Sequence, residues 1–366
     1  MKVADLDTPV LLLDLDALER NIGRMRDMAA AAGVHLRPHA KTHKSPAIAR
    51  MQIAAGAVGI CCAKLGEAEV MAAAGIDNIL ITTPVIGESK IGRLMHVRNQ
   101  ARVAVVSDSA ENIEMLGRIA RLSGRRLDVL VEVDVGQGRC GVPDGAAALA
   151  LARLIADDPW LDFAGLQGYQ GKIQMIPDSG ERRRETGAGL DRLAAAVAEV
   201  EAGGIAVPVR TGGGTGSSPF DLERGLLTEI QAGSYVFMDS RYAQIVWPDA
   251  GVQPFEQAIH LLTSVISHPV PGRAVVDAGL KSASSDHGPP AVADAEGAGL
   301  TFEFGGDEHG IVRRADGGTV ELGIGRKIRL VPSHCDTTVN LFDQYMVVQE
   351  ENVVDVWPIE GRGRVQ

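Results

Sequence analysis

Residues 37 to 44 read Arg-Pro-His-Ala-Lys-Thr-His-Lys, and within them Lys41 is flanked by His39, His43 and Lys44. Crowded cations raise the cost of protonating any one of them, so a neutral, nucleophilic Lys41 able to form a Schiff base is expected. The alternative is a solvated basic loop. A second constellation lies late in the chain, at Val331-Pro332-Ser333-His334-Cys335-Asp336. In an extended segment residues i and i+2 point to the same side. His334 and Asp336 can then share a metal while Cys335 faces away. Imidazole plus carboxylate suits Mn²⁺, Mg²⁺ or Zn²⁺, and two protein ligands leave positions open for water or substrate. Taken alone, a His-x-Asp pair is usually structural.

The octet follows a short apolar run, Val34-His35-Leu36, and precedes Ser45-Pro46, a helix-start pair in which Ser caps and Pro takes the first helical position. It therefore sits where a strand hands over to a helix, the edge that carries chemistry in barrel and open α/β enzymes. Strand candidates follow at 34–37, 58–63, 79–82, 103–107, 127–135, 163–169, 207–211 and 229–237, separated by helical segments such as 64–74, 109–122, 144–157 and 183–203. Gly33, Gly75 and Gly124 stand near helix ends, where a left-handed residue is wanted. Eight strands alternating with helices favour a (β/α)8 TIM-like barrel over residues 14–245.

Beyond about residue 245 the Ala-rich helices stop. Short β-type runs appear at 259–267, 273–277, 300–304, 319–322, 327–331, 345–349 and 352–357, which reads as a mostly β domain over residues 246–366. Residues 1–13 contain Pro9-Val10-Leu11-Leu12-Leu13 and can add a strand to it.

Placed on this barrel, further residues gather at one edge. Thr211-Gly212-Gly213-Gly214-Thr215-Gly216-Ser217-Ser218 follows strand seven and Gly233-Ser234-Tyr235 follows strand eight. These are the usual phosphate loops of such barrels, and glycines let backbone N–H groups approach an anion. Arg139, past the end of strand five, suits an anionic oxygen or a surface salt bridge. Tyr169, at the end of strand six, suits a ring or core packing. A cofactor with phosphate, phenolic oxygen and aldehyde would use lysine, glycine loops, arginine and tyrosine together, and pyridoxal phosphate is that cofactor.

Composition narrows the field. The formal net charge of −11 gives a nucleic-acid role no electrostatic support. Cys61, Cys62, Cys140 and Cys335 match no zinc-finger spacing and are too few for a disulfide scaffold. No basic segment leads into a long apolar stretch at the N-terminus, and no run is long enough to span a membrane. A reduced, cytoplasmic protein is expected.

The octet, Gly-Gly-Gly-Thr-Gly and Ser333-His334-Cys335-Asp336 together resemble the fold-type III pyridoxal phosphate enzymes, with their alanine racemase-like N-terminal barrel and C-terminal β domain. Within these, the resemblance is to the D-threonine aldolase and D-serine dehydratase branch, and it covers nearly the whole chain. It implies that Lys41 carries the cofactor, that Arg139 contacts its phenolic oxygen and that Tyr169 lies near its pyridine. It also implies that Gly214, Thr215, Gly233, Ser234 and Tyr235 hold the phosphate. A homodimer in which each β domain completes the other subunit's site is implied as well. Dehydratase relatives tend to carry cysteine at the second ligand position, where this chain has Asp336, which moves the reading towards the aldolases.

The expected reaction is retro-aldol cleavage of a D-3-hydroxy amino acid to glycine and an aldehyde. The metal at His334 and Asp336 would acidify the β-hydroxyl, and His39 or His43 would shuttle protons or serve structure alone. D-configuration follows from the resemblance only. The rivals are a 3-hydroxy-D-aspartate aldolase, a D-serine or D-3-hydroxyaspartate dehydratase, and a non-catalytic pyridoxal phosphate carrier. A cation near the metal would favour hydroxyaspartate, but Arg241, Lys281 and Arg326 are not placed by sequence. Asp277-Ala278-Gly279-Leu280-Lys281 could reach a partner's site or form a β-turn. Asp307-Glu308-His309-Gly310 reads as a turn with metal-capable side chains.

Overall fold

The computed structural model describes residues 1–248, 252–293 and 299–366. Eight parallel strands follow the first helix: β2 (His35–Leu36), β3 (Ile60–Cys62), β4 (Asn78–Ile81), β5 (Arg102–Ser107), β6 (Leu127–Glu132), β7 (Leu161–Gly168), β8 (Val209–Gly212) and β9 (Glu229–Ile230). Strands β3 to β9 pair in sequence order and β9 pairs with β2. The seam closes beyond the end of β2. There the Ala40 N–H donates to the Cys61 carbonyl at 2.8 Å, and the Cys61 N–H donates to the Pro38 carbonyl at 2.8 Å.

Side chains alternate across these strands, which sorts adjacent residues into two environments. Cys61 packs with Leu80, Val106 and Leu130 inside the ring. Its neighbour Cys62 joins the apolar layer between strands and helices. Both thiols are fully buried.

The other sheet takes strands from both ends of the chain. β1 (Val10–Asp14) pairs antiparallel with β10 (Ile259–Val270) and parallel with β16 (Gln344–Gln349). Around them stand β11 (Arg273–Val276), β12 (Ala291–Val292), β13 (Leu300–Phe304), β14 (Gly310–Arg314), β15 (Lys327–Val331) and β17 (Asn352–Pro358). An apolar cluster containing Leu11, Leu18, Tyr235, Phe237, Tyr345 and Val347 joins this sheet to the barrel.

Several expected strands are shorter than their apolar runs, 127–135 ending at Glu132 and 58–63 covering Ile60–Cys62, and two differ more. The run 229–237 is strand only over Glu229–Ile230, because the chain turns at Gly233 into a 3-10 turn, Ser234–Val236. The run 319–322 is not a strand. A strand not expected from the sequence, β14, pairs with β13 and β11, and its Gly310 lies so close to the Phe302 ring that an added Cβ would meet it at 2.1 Å.

Candidate active site

The strand ends of the barrel open into a cavity of about 620 Å³. Its floor is a layer of polar side chains carried inward by the strands. Gln231 Nε2 donates to Gln167 Oε1 and to Thr211 Oγ1, each at 3.0 Å, and Gln167 Nε2 donates to the Thr82 carbonyl at 3.2 Å. Lys41, His39, Arg139, Tyr169, Gly214, Thr215, Gly233, Ser234, His334 and Asp336 all line the space above it. His43 and Tyr235 do not.

Lys41 stands on a loop pinned from several sides. Lys44, in the left-handed region at φ 51°, donates from Nζ to Glu67 Oε1 at 2.6 Å. Tyr345 donates its hydroxyl to the His43 carbonyl at 2.7 Å, and the Gly361 N–H donates to the Lys44 carbonyl at 2.8 Å. The C-terminal sheet and tail therefore help to hold the lysine loop.

Lys41 Nζ lies 2.8 Å from Asp336 Oδ2. This overturns the expectation of a neutral lysine. Asp336 raises the ammonium's pKa above its ordinary value, against the burial that would lower it. Burial alone would push the Asp336 carboxyl up, but Lys41 and His334 hold it well below the usual carboxylate range. Neighbouring cations were the visible feature of the octet, whereas the countercharge arrives from the far end of the chain.

His39 and His43 are neutral for the reason the octet suggested only in part. Burial, assisted by the charge of Lys41, lowers His39 to about 3. Its Nδ1 accepts from the Lys41 N–H at 3.3 Å, so Nε2 carries the proton towards Thr82 Oγ1 at 3.0 Å. Burial likewise lowers His43 to about 4, and its Nδ1 accepts from the Ser45 N–H at 3.1 Å. With His43 outside the cavity, only His39 of the two reaches the reacting space.

The late motif is not an extended segment. His334 is extended, but a short helix, Cys335–Val339, starts immediately after it. Asp336 consequently turns to Lys41, while His334 Nδ1 lies 2.5 Å from Asp286 Oδ2. His287 stacks on the His334 ring at 4.4 Å between centroids. Ligand atoms of Asp286, His287 and His334 lie within 4.8 Å of one another. Asp286 and His287 were not singled out from the sequence. Ser285-Asp286-His287-Gly288 has the composition of an ordinary turn, and only the fold brings it to His334. Cys335 is fully buried, and burial pushes its thiol far up. The motif is anchored by Asp239, whose Oδ1 accepts from the Arg241 and Tyr242 N–H groups at 3.0 and 2.9 Å. Asp239 Oδ2 accepts from the Cys335 N–H at 3.2 Å.

Groups suited to a phosphate face the same space. Thr215, Gly233 and Ser234 N–H groups make no hydrogen bond among the described residues. A Cβ on Gly233 would meet Thr42 Oγ1 at 2.8 Å, so glycine is what lets that loop sit against the lysine loop. Tyr235 contributes its backbone here, its N–H donating to Thr215 Oγ1 at 3.0 Å. Its hydroxyl instead accepts from Gln52 Nε2 at 3.0 Å, behind the cavity wall. The Arg139 guanidinium lies 5.9 Å from the Tyr169 ring centroid. Behind it, burial raises Glu132 to about 7, opposed by the charge of Arg139. Lys281 pairs with Glu308 and lies outside the cavity lining, as does Arg326, whereas Arg241 lines it. Asp277 accepts from Thr8 and Thr263 hydroxyls at 2.5 and 2.6 Å, an internal bonding role.

Comparison with known proteins gives the family. Residues 13–241 match the alanine racemase N-terminal domain family and residues 258–348 match a putative serine dehydratase domain family. The chain belongs to the alanine racemase-like, fold-type III family of pyridoxal phosphate enzymes. Among fold-type III proteins, it is similar to a D-threonine aldolase of Arthrobacter sp. That relative is 45% identical over 99% of this chain and 94% of its own length. A 3-hydroxy-D-aspartate aldolase of Paracoccus denitrificans is 41% identical over 100% of this chain and 94% of its own. The solved structure of D-threonine aldolase from Filomicrobium marinum superposes with a TM-score of 0.94 at 41% identity, covering 99% of this chain and 97% of that one. The fold-type III family implies pyridoxal phosphate, and the lysine, unused N–H groups and glycine contact described above fit it. The imidazole and carboxylate donors at His334 likewise fit a divalent cation. No helix among the described residues is long and apolar enough to cross a membrane.

Proposed function

We propose that this chain is a pyridoxal phosphate- and divalent-metal-dependent aldolase. It would cleave D-3-hydroxy amino acids such as D-threonine to glycine and an aldehyde. The observation that carries the reading is the meeting of Lys41, Asp336 and His334 around one cavity, with Lys41 and Asp336 2.8 Å apart. On this reading Lys41 would carry the cofactor beside donors for a cation. The similarity to two aldolases at 45% and 41% identity supports it.

Pyridoxal phosphate bound here would supply the electron sink for the carbanion left at Cα. The Thr215, Gly233 and Ser234 N–H groups would hold its phosphate, and Arg139 and Tyr169 would face its ring. His334 and Asp336 would hold Mn²⁺, or Mg²⁺ or Zn²⁺, so that the substrate β-hydroxyl loses its proton at neutral pH. With Nδ1 engaged by Asp286, Nε2 is the His334 nitrogen left for the cation. His39, neutral and donating to Thr82, would brace the Lys41 loop and not move protons. The reading includes a homodimer, as the family resemblance implies.

The test is product identification. Purified protein with pyridoxal phosphate, Mn²⁺ and D-threonine should release equal amounts of glycine and acetaldehyde. Ammonia with 2-oxobutyrate would assign a dehydratase instead.

A further inference from the structure

Four cationic side chains line the cavity: Lys41, Arg139, Lys172 and Arg241. Lys41 is bonded to Asp336, and Arg139 lies over Tyr169. Neither the Lys172 nor the Arg241 side chain has a hydrogen bond or ion pair with another described residue. The two belong to different walls. Lys172 donates its N–H to Gln137, on the loop that leads to Arg139. Arg241 follows Asp239, which accepts from the Cys335 N–H at 3.2 Å, and Ser240, which donates to the Pro332 carbonyl at 3.0 Å. Arg241 is thus anchored to the segment that carries His334 and Asp336.

We propose that Arg241 is the subsite for a carboxylate on the substrate's β-carbon. The substrate class would then be the dicarboxylic 3-hydroxy amino acids, 3-hydroxy-D-aspartate being the simplest. This rests on the aldolase reading above. If His334 and Asp336 hold the β-hydroxyl, the β-carbon lies beside them, and Arg241 is the unpaired cavity-lining cation whose neighbours Asp239 and Ser240 bond to that same segment. A guanidinium fork matches a carboxylate with two parallel hydrogen bonds and has nothing to offer a methyl group. Cleavage is balanced without any further reactant. The β-hydroxyl loses its proton, the Cα–Cβ pair passes to Cα, Cα takes up a proton, and glyoxylate and glycine result.

The test compares kcat/KM for 3-hydroxy-D-aspartate and D-threonine in wild-type holoenzyme with Mn²⁺ and in Arg241→Gln and Arg241→Lys, following glycine. Wild type should prefer hydroxyaspartate. Arg241→Gln should lower the ratio of the two values by roughly 10- to 100-fold, mostly through KM for the dicarboxylate. Arg241→Lys should keep part of the preference. An unchanged ratio, a wild-type preference for D-threonine, or an equal fall for both substrates, which would place Arg241 at the α-carboxylate, would each overturn the subsite. If wild type forms no glycine from either substrate, the aldolase reading itself fails, a result distinct from an altered ratio.

Discussion

Replacing Lys44 by Met should destabilise the protein by about 3 kcal/mol, because it strands the Glu67 carboxylate. Lys44 is 9% and Glu67 3% exposed, so water does not take over the lost contact. Removing one partner of such a pair costs about 3–5 kcal/mol. The lower end applies here, since Glu67 Oε2 keeps the Ala63 N–H at 2.7 Å and the Lys64 N–H at 3.3 Å. Only Oε1, 2.6 Å from Lys44 Nζ, loses its partner. For a chain of 366 residues that corresponds to a fall in Tm of about 4 °C by scanning calorimetry. Adding Glu67→Gln removes the stranded charge while its amide oxygen can still accept the two N–H groups. The double variant should therefore recover more than half the loss, with a coupling energy above about 1.5 kcal/mol. The same contact pins the Lys41 loop, so the single variant should also retain pyridoxal phosphate less well on dialysis. A cost below about 1 kcal/mol, or strictly additive substitutions, would refute the idea that this ion pair sets the loop.

Other consequences can be checked separately. Asp239→Ala strips the acceptor from the Arg241, Tyr242 and Cys335 N–H groups. It should weaken Mn²⁺ binding about 10- to 100-fold by titration calorimetry, with Asp239→Asn milder. In native protein a thiol reagent should titrate Cys140 alone, because Cys61, Cys62 and Cys335 are buried; fast reaction of two or more thiols would contradict this. Burial raises Glu132 to about 7, and its Oε2 is unpartnered. The folded state then binds a proton that the unfolded chain releases near pH 4.5, so this group lowers stability as pH rises from about 4.5 to about 7. In cofactor-free protein Glu132→Gln should flatten that decline in urea midpoints between pH 5 and 7.5, and an unchanged slope would count against it.

Much of the barrel was legible because its strands are buried on both faces and read as apolar runs, as at 103–107 and 127–132. Strand ends were less so. Ile230 and Phe237 belong to one apolar stretch, yet Gly233 breaks the ladder between them. The glycine loops and Lys41 could be assigned to one edge from order alone. What order could not supply was contact across the chain. Asp336 reverses the charge state expected of Lys41, and Asp286 and His287 become neighbours of His334 only through folding. Gln167 and Gln231 form the cavity floor, but polar residues in short strands give no hint of which face they occupy.

The most direct measurement is a comparison of Lys41→Ala, His334→Ala and Asp336→Ala with wild type, recording both the visible absorption of bound pyridoxal phosphate and acetaldehyde release from D-threonine with Mn²⁺. If Lys41 carries the cofactor and the other two hold the cation, Lys41→Ala loses both signals. His334→Ala and Asp336→Ala then keep the absorption and lose cleavage by at least about 10²-fold. Cleavage that survives in the His334 and Asp336 variants, or in wild type after exhaustive chelation, would contradict a metal-assisted aldolase at this site.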